Sequence, residues 1–77
     1  MKRQYRTYDL NISALLMAKG FIIEDILFNS KQRALFIFNE NEELQKTVKG
    51  YWDDTIKVSP QKLFSSLKNL KSRLYDR

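Results

Sequence analysis

Asp53 and Asp54 are adjacent, and Glu40, Glu42 and Glu43 crowd into residues 40–43. Paired carboxylates can divide acid and base duties between them. Three carboxylates within reach of one ion can hold a hard cation. Neither group develops further here. Side chains of neighbouring loop residues point apart. Acids in the first turn of a helix are what its dipole attracts, and the Glu spacing does not match a calcium loop. The chain has no His and no Cys. The commonest general base and the most readily activated nucleophile are therefore both missing. Gly20 and Gly50 are the only glycines, too few for a glycine-rich phosphate loop. With no nucleophile and base to name, the expectation is a protein that is not an enzyme and needs neither cofactor nor metal.

The basic residues say more. The net charge is +5, and the surplus sits at the two ends. Residues 1–20 carry Lys2, Arg3, Arg6 and Lys19 against Asp9, a local +3. Residues 58–77 carry Lys62, Lys68, Lys71, Arg73 and Arg77 against Asp76, a local +4. The stretch between them sums to −2. If the ends converge in space, as they often do in small domains, the protein has one basic pole that concentrates polyanions.

Near the C-terminus this charge is interleaved with rings. Phe64, Lys68, Lys71 and Tyr75 recur at i, i+4, i+7 and i+11, one stripe of a helix. Lysines contact phosphates and exposed rings stack on bases. The competing reading has the lysines snorkel along the edge of an amphipathic helix while Phe64 and Tyr75 complete the core. On the first reading, Lys2, Arg3, Arg6, Lys62, Lys68, Lys71, Arg73 and Tyr75 are the candidate nucleic-acid contacts. Binding would then be weak and salt-dependent.

The elements that must position these residues can be read in order. Gln4–Tyr8, rich in Tyr and Thr, is a candidate third strand. Thr7 or Asp9 caps a first helix, and Gly20 ends it in the left-handed conformation. Leu10, Ala14, Met17 and Phe21 mark one side of that helix and Ile12, Leu15 and Leu16 the opposite side. A helix apolar nearly all round is covered on more than one face. Phe21–Phe28 and Arg33–Phe38 read as two strands of a β-hairpin, joined by Asn29-Ser30-Lys31-Gln32. Asn39 is expected to open a second helix, with Glu42 as its capping-box partner. Leu44, Val48 and Tyr51 form its stripe, beside Trp52. Gly50 either permits close packing in that helix or marks its end. Ile56 and Val58 alternate with Lys57, and Ser59-Pro60 starts the last helix as cap and first-turn proline. Leu63, Leu67, Leu70 and Leu74 form its apolar seam. The expected fold class is α+β: a single small domain with a hairpin-based antiparallel sheet and three helices, ordered (β)-α-β-β-α-α.

Residues 7–20, Thr-Tyr-Asp-Leu-Asn-Ile-Ser-Ala-Leu-Leu-Met-Ala-Lys-Gly, resemble the opening of a family of small prokaryotic and phage domains of unknown function. The pattern is Thr-x-Asp-Leu, a small residue at Ala14, an apolar run, then Gly. The similarity continues through Phe36 and Phe38, through Tyr51, and through Leu70-Lys71-Ser72-Arg73-Leu74-Tyr75. The resemblance implies this fold and a prokaryotic or phage origin. It implies no activity.

Self-association is the alternative to nucleic-acid binding. A chain of 77 residues sits near the lower limit for a self-sufficient core. Without Cys it has no disulfide staple, so a second copy is a reasonable expectation. Candidate interface residues are Ile12, Leu15 and Leu16 on the first helix, and Tyr51 and Trp52. The competing readings place Ile12, Leu15 and Leu16 against the C-terminal leucine seam, and Trp52 in the core. Runs such as Leu35-Phe36-Ile37-Phe38 fall far short of the roughly 20 apolar residues that cross a bilayer. No h-region follows Lys2 and Arg3, so the N-terminus does not read as a signal peptide. A cytoplasmic location and no membrane partner are expected.

Overall fold

The computed structural model describes residues 3–31 and 33–75. Lys2, Gln32, Asp76 and Arg77 lie outside the described residues. The chain folds as β1 (Gln4–Thr7), α1 (Leu10–Ala18), β2 (Ile23–Phe28), β3 (Ala34–Asn39), α2 (Glu42–Trp52) and α3 (Pro60–Tyr75). The three strands form one antiparallel sheet in the order β1-β3-β2. The N-terminal segment is thus a third strand, and it gives the hairpin the extra strand that a two-stranded sheet needs.

Register decides what each face of the sheet carries. Tyr5 lies opposite Phe38 and Thr7 opposite Phe36. Ile26 lies opposite Phe36 on the other side. Phe36 and Phe38 join Ile12, Ala14, Leu16, Leu44 and Leu70 in one buried cluster, against which Tyr5, Ile23 and Ile26 pack. All three helices therefore cover the same face. Ile37 points the other way, yet it is buried, flanked in register by Arg6 and Asp25.

α1 is the centre of the fold. Ile12, Ser13, Ala14, Leu15 and Leu16 are buried in succession, so the helix meets protein in every direction. Ser13 is tolerated there because it is small and its hydroxyl donates to the Asp9 carbonyl at 2.9 Å. The Asp9 carboxylate caps the helix by accepting from the Ile12 N–H at 3.0 Å, and the Thr7 hydroxyl accepts from the Asp9 N–H. At the other end, the Gly20 N–H donates to the Met17 carbonyl and the Phe21 N–H to the Leu16 carbonyl. Gly20 has φ +99°. This is a Schellman closure, and a residue with a Cβ would be strained in it. The expected opening and stop of α1 both stand.

The start of α2 needs correction. Asn39 is the last residue of β3, held by Gln4 across the sheet, and the Glu40 N–H donates to the Arg3 carbonyl at 2.8 Å. The sheet therefore keeps the chain extended two residues longer than the capping signal suggested. Asn41 is the cap, accepting from the Leu44 N–H at 2.8 Å. Glu42 occupies the first helical position, not the third, so no capping box forms. The first hairpin strand is shorter than expected, since Phe21 and Ile22 precede it, and the second is shifted by one residue, from Arg33–Phe38 to Ala34–Asn39. Asn29 organises the turn as expected, its side chain accepting from the Lys31 and Arg33 N–H groups at 2.9 Å.

Gly50 lies within α2, and the helix continues to Trp52. A Cβ at this position would meet Ile56 Cδ1 and Thr55 Oγ1 at 3.5 Å, which is ordinary contact. Glycine is therefore not sterically required. Gly50→Ala is expected to raise stability by up to about 1 kcal/mol through helix propensity. A loss in urea unfolding would show that Ile56 cannot accept the methyl group.

α2 ends in the same kind of closure as α1. The Asp54 N–H donates to the Tyr51 carbonyl and the Thr55 N–H to the Gly50 carbonyl. Asp54 takes the left-handed position with φ 58°, which Asp tolerates better than most residues. α3 begins at Pro60, as read from Ser59-Pro60. The Lys62 N–H reaches the Ser59 hydroxyl at 3.5 Å, a long hydrogen bond. Ser59→Ala is expected to cost about 0.5 kcal/mol, the low end for a lost cap. A cost above about 2 kcal/mol would mean that the hydroxyl does more than cap.

Candidate functional site

α3 packs along α1 with its leucine seam inward. Leu70 is fully buried, and Leu63, Leu67 and Leu74 pack half-buried against the core. This orientation turns the Phe64, Lys68, Lys71 and Tyr75 stripe outward. Phe64 is 65 % exposed and Tyr75 85 % exposed. The reading in which these rings complete the core is therefore overturned. The leucine seam, about 100° round the helix from the stripe, is the row that meets the core. Lys62, Lys68, Lys71 and Arg73 are all exposed, and residues 60–75 contain no acid.

One N-terminal cation, Arg6, does not join this surface. Arg6 alternates with Tyr5 and Thr7 along β1, so it emerges on the face away from the helices. Its guanidinium donates to the Gln4 side chain at 2.9 Å. Arg3 is exposed beside the first strand. The sheet thus stands between Arg6 and the cations of α3, so Arg6 lies outside the basic surface of that helix. Arg33 stacks over the Tyr8 ring at 4.4 Å. The Lys19 ammonium donates to the Lys57 carbonyl at 3.0 Å, tying α1 to the segment before α3.

Beside the stripe lies a groove of about 590 Å³. Its floor is Ala14 and Leu15 of α1, both nearly inaccessible. One wall is Tyr51 and Trp52 of α2, continued by Ile56 and Val58. The other wall is Leu63, Phe64 and Leu67 of α3. Trp52 is 67 % exposed, and its ring meets Tyr51 edge to face, with centroids 5.1 Å apart. The Trp52 core reading is therefore replaced by a surface position anchored on Tyr51. Ile12, Leu15 and Leu16 are at most 3 % exposed. Ile12 and Leu16 belong to the core and offer no interface, while Leu15 reaches only the groove floor.

Phe64 is the groove residue that the sequence placed elsewhere, on the basic flank or in the core. Its spacing from Leu63 and Leu67 was visible, but its distance from Trp52 depends on how α2 and α3 pack on α1. At the mouth, Asp54 lines the groove. Asp53 is paired with Lys49 at 2.8 Å. That hydrogen bond and the Asp53 charge push the Lys49 ammonium above its usual pKa. The pair is exposed, so it adds little to stability. Among the described residues there is no group of three His, Cys, Asp or Glu placed to share a metal ion. No helix among them is long and apolar enough to cross a membrane.

A domain-family model matches residues 2–76, and its description assigns no function. No curated protein and no solved structure matches the chain.

Proposed function

The chain belongs to the family described as Domain of unknown function (DUF5659), and, since that membership carries no activity, we propose from its surface a non-catalytic, nucleic-acid-associated module. On this reading it is a cytoplasmic regulatory protein of a prokaryote or phage that binds through the outer flank of α3. The observation that carries the reading is Tyr75, 85 % exposed on the same stripe as Lys68 and Lys71. An isolated ring in water gains nothing from its exposure, whereas a ring beside cations can stack on a base while the cations meet phosphates. From Phe64 to Tyr75 the stripe runs about 16 Å along the helix axis. Lys62 and Arg73 add charge from the other flank, and no acid of α3 offsets them.

Such binding draws mainly on counterion release, so it is weak, tolerant of sequence and steeply reduced by salt. The test is a fluorescence-anisotropy titration with single-stranded and duplex oligonucleotides at about 50 mM salt, repeated at about 200 mM. Binding to the single strand that falls steeply between the two conditions supports the reading. No binding to either at the lower salt rejects it.

A further inference from the structure

We propose that the groove between α2 and α3 takes a second copy of this chain, docked about a two-fold axis. This does not rest on nucleic-acid binding, although it shares Phe64 and Lys68 with the stripe of α3. Two large aromatics, Trp52 and Phe64, stand at opposite walls of the groove and are 67 % and 65 % exposed. Between them lies an apolar floor. Aromatic anchors facing a pocket are the usual energetic centre of an interface.

Charge selects the occupant. The α2 wall ends in Asp53 and Asp54, and the α3 wall is followed one turn on by Lys68. Asp53 is already engaged by Lys49 of its own chain. The Asp54 carboxylate has no hydrogen-bond partner among the described residues, and it lines the groove. Lys68 stands beyond the lining residues, next in sequence to Leu67, so the occupant best matched to this surface presents a cation toward Asp54 and an anion toward Lys68, with an apolar body between. A second copy related by a two-fold axis meets that demand by symmetry, since its own walls carry the same charges in reversed order.

Trp52 is the only Trp in the chain, so its fluorescence reports this surface alone. Mass and emission are to be measured on the full chain by sedimentation equilibrium and fluorimetry, from about 1 μM to about 1 mM, the span of weak to moderate affinity. The expected result is a rise from one chain to two, with the emission shifting to the blue in step. Phe64→Gln, at an exposed position, should abolish both changes while circular dichroism stays unaltered. Asp54→Asn keeps a residue suited to the left-handed backbone, and it should weaken the dimer about fivefold, the combined value of the two partly exposed charge pairs that the two-fold axis creates. Lys68→Gln should do the same, and the double variant should weaken it no further than either alone, because both remove one interaction. A chain that stays monomeric over the whole range overturns the proposal, even if the groove takes up an apolar dye. A dimer that leaves the Trp52 emission unmoved also overturns it, since another surface would then be in use.

Discussion

Leu70→Ala is expected to lower the free energy of unfolding by about 2–5 kcal/mol, the range for truncating a buried leucine. Leu70 has no exposed surface and belongs to the same cluster as Phe36, Phe38 and Leu44. It is the one residue of α3 that is fully buried. The helix therefore holds to the rest of the protein around this side chain, with Leu63, Leu67 and Leu74 sealing its edges. Two effects add in the loss. The removed methyl and methylene groups forfeit their transfer free energy, and the surrounding rings cannot fully collapse into the space. Small domains hold only about 5–15 kcal/mol in total, so a loss near the upper end leaves a chain largely unfolded at ambient temperature. Leu63→Ala, at the groove wall, should cost distinctly less, since its side chain is already partly in water. Urea unfolding followed by circular dichroism gives both values. A Leu70→Ala cost below about 0.5 kcal/mol, the usual surface figure, would show that α3 does not pack as described.

The leucine seam was legible because a strict i, i+4, i+7, i+11 recurrence has one meaning on a helix. The same holds for the two-sided first helix, whose residues 12–16 are buried in succession. Gly20 and Ser59-Pro60 were legible because each is a local chemical signal that acts on its own neighbours. Asn39 misled for the opposite reason. Its capping signal is local, but its conformation is set by a strand 35 residues earlier, through the pairing with Gln4. The amide that wins is Asn41, two residues on, outside the sheet's reach. Phe64 and Trp52 were ambiguous because either ring could serve core or surface. Their fate depended on the angles at which α2 and α3 meet α1, and no spacing within either helix encodes those angles. The groove shares this origin. It is assembled from three helices and the segment at residues 55–59, so no contiguous motif announces it.

The basic stripe of α3 separates into two physical contributions that a pair of variants can tell apart. Lys71→Glu changes the local charge by two units without touching the groove or the leucine seam. If Lys71 contacts a phosphate, the logarithmic salt slope of binding should become shallower by about 1, and affinity should fall for every sequence and for both strand forms. Tyr75→Ala changes no charge at neutral pH. Its ring is 85 % exposed, so removing it should leave stability within about 0.5 kcal/mol. If the ring stacks on an unpaired base, the loss is about 1–3 kcal/mol, roughly 5- to 150-fold in affinity for single strands. Duplex binding, where bases are already stacked on one another, should scarcely change, and the salt slope should stay where it was. The two variants thus move different axes of one measurement. Equal losses from Tyr75→Ala on single strand and duplex would remove stacking from the account and leave a purely electrostatic helix. An unchanged slope in Lys71→Glu, with binding otherwise intact, would place the nucleic acid elsewhere on the protein, with Arg6 and the far face of the sheet as the next surface to alter.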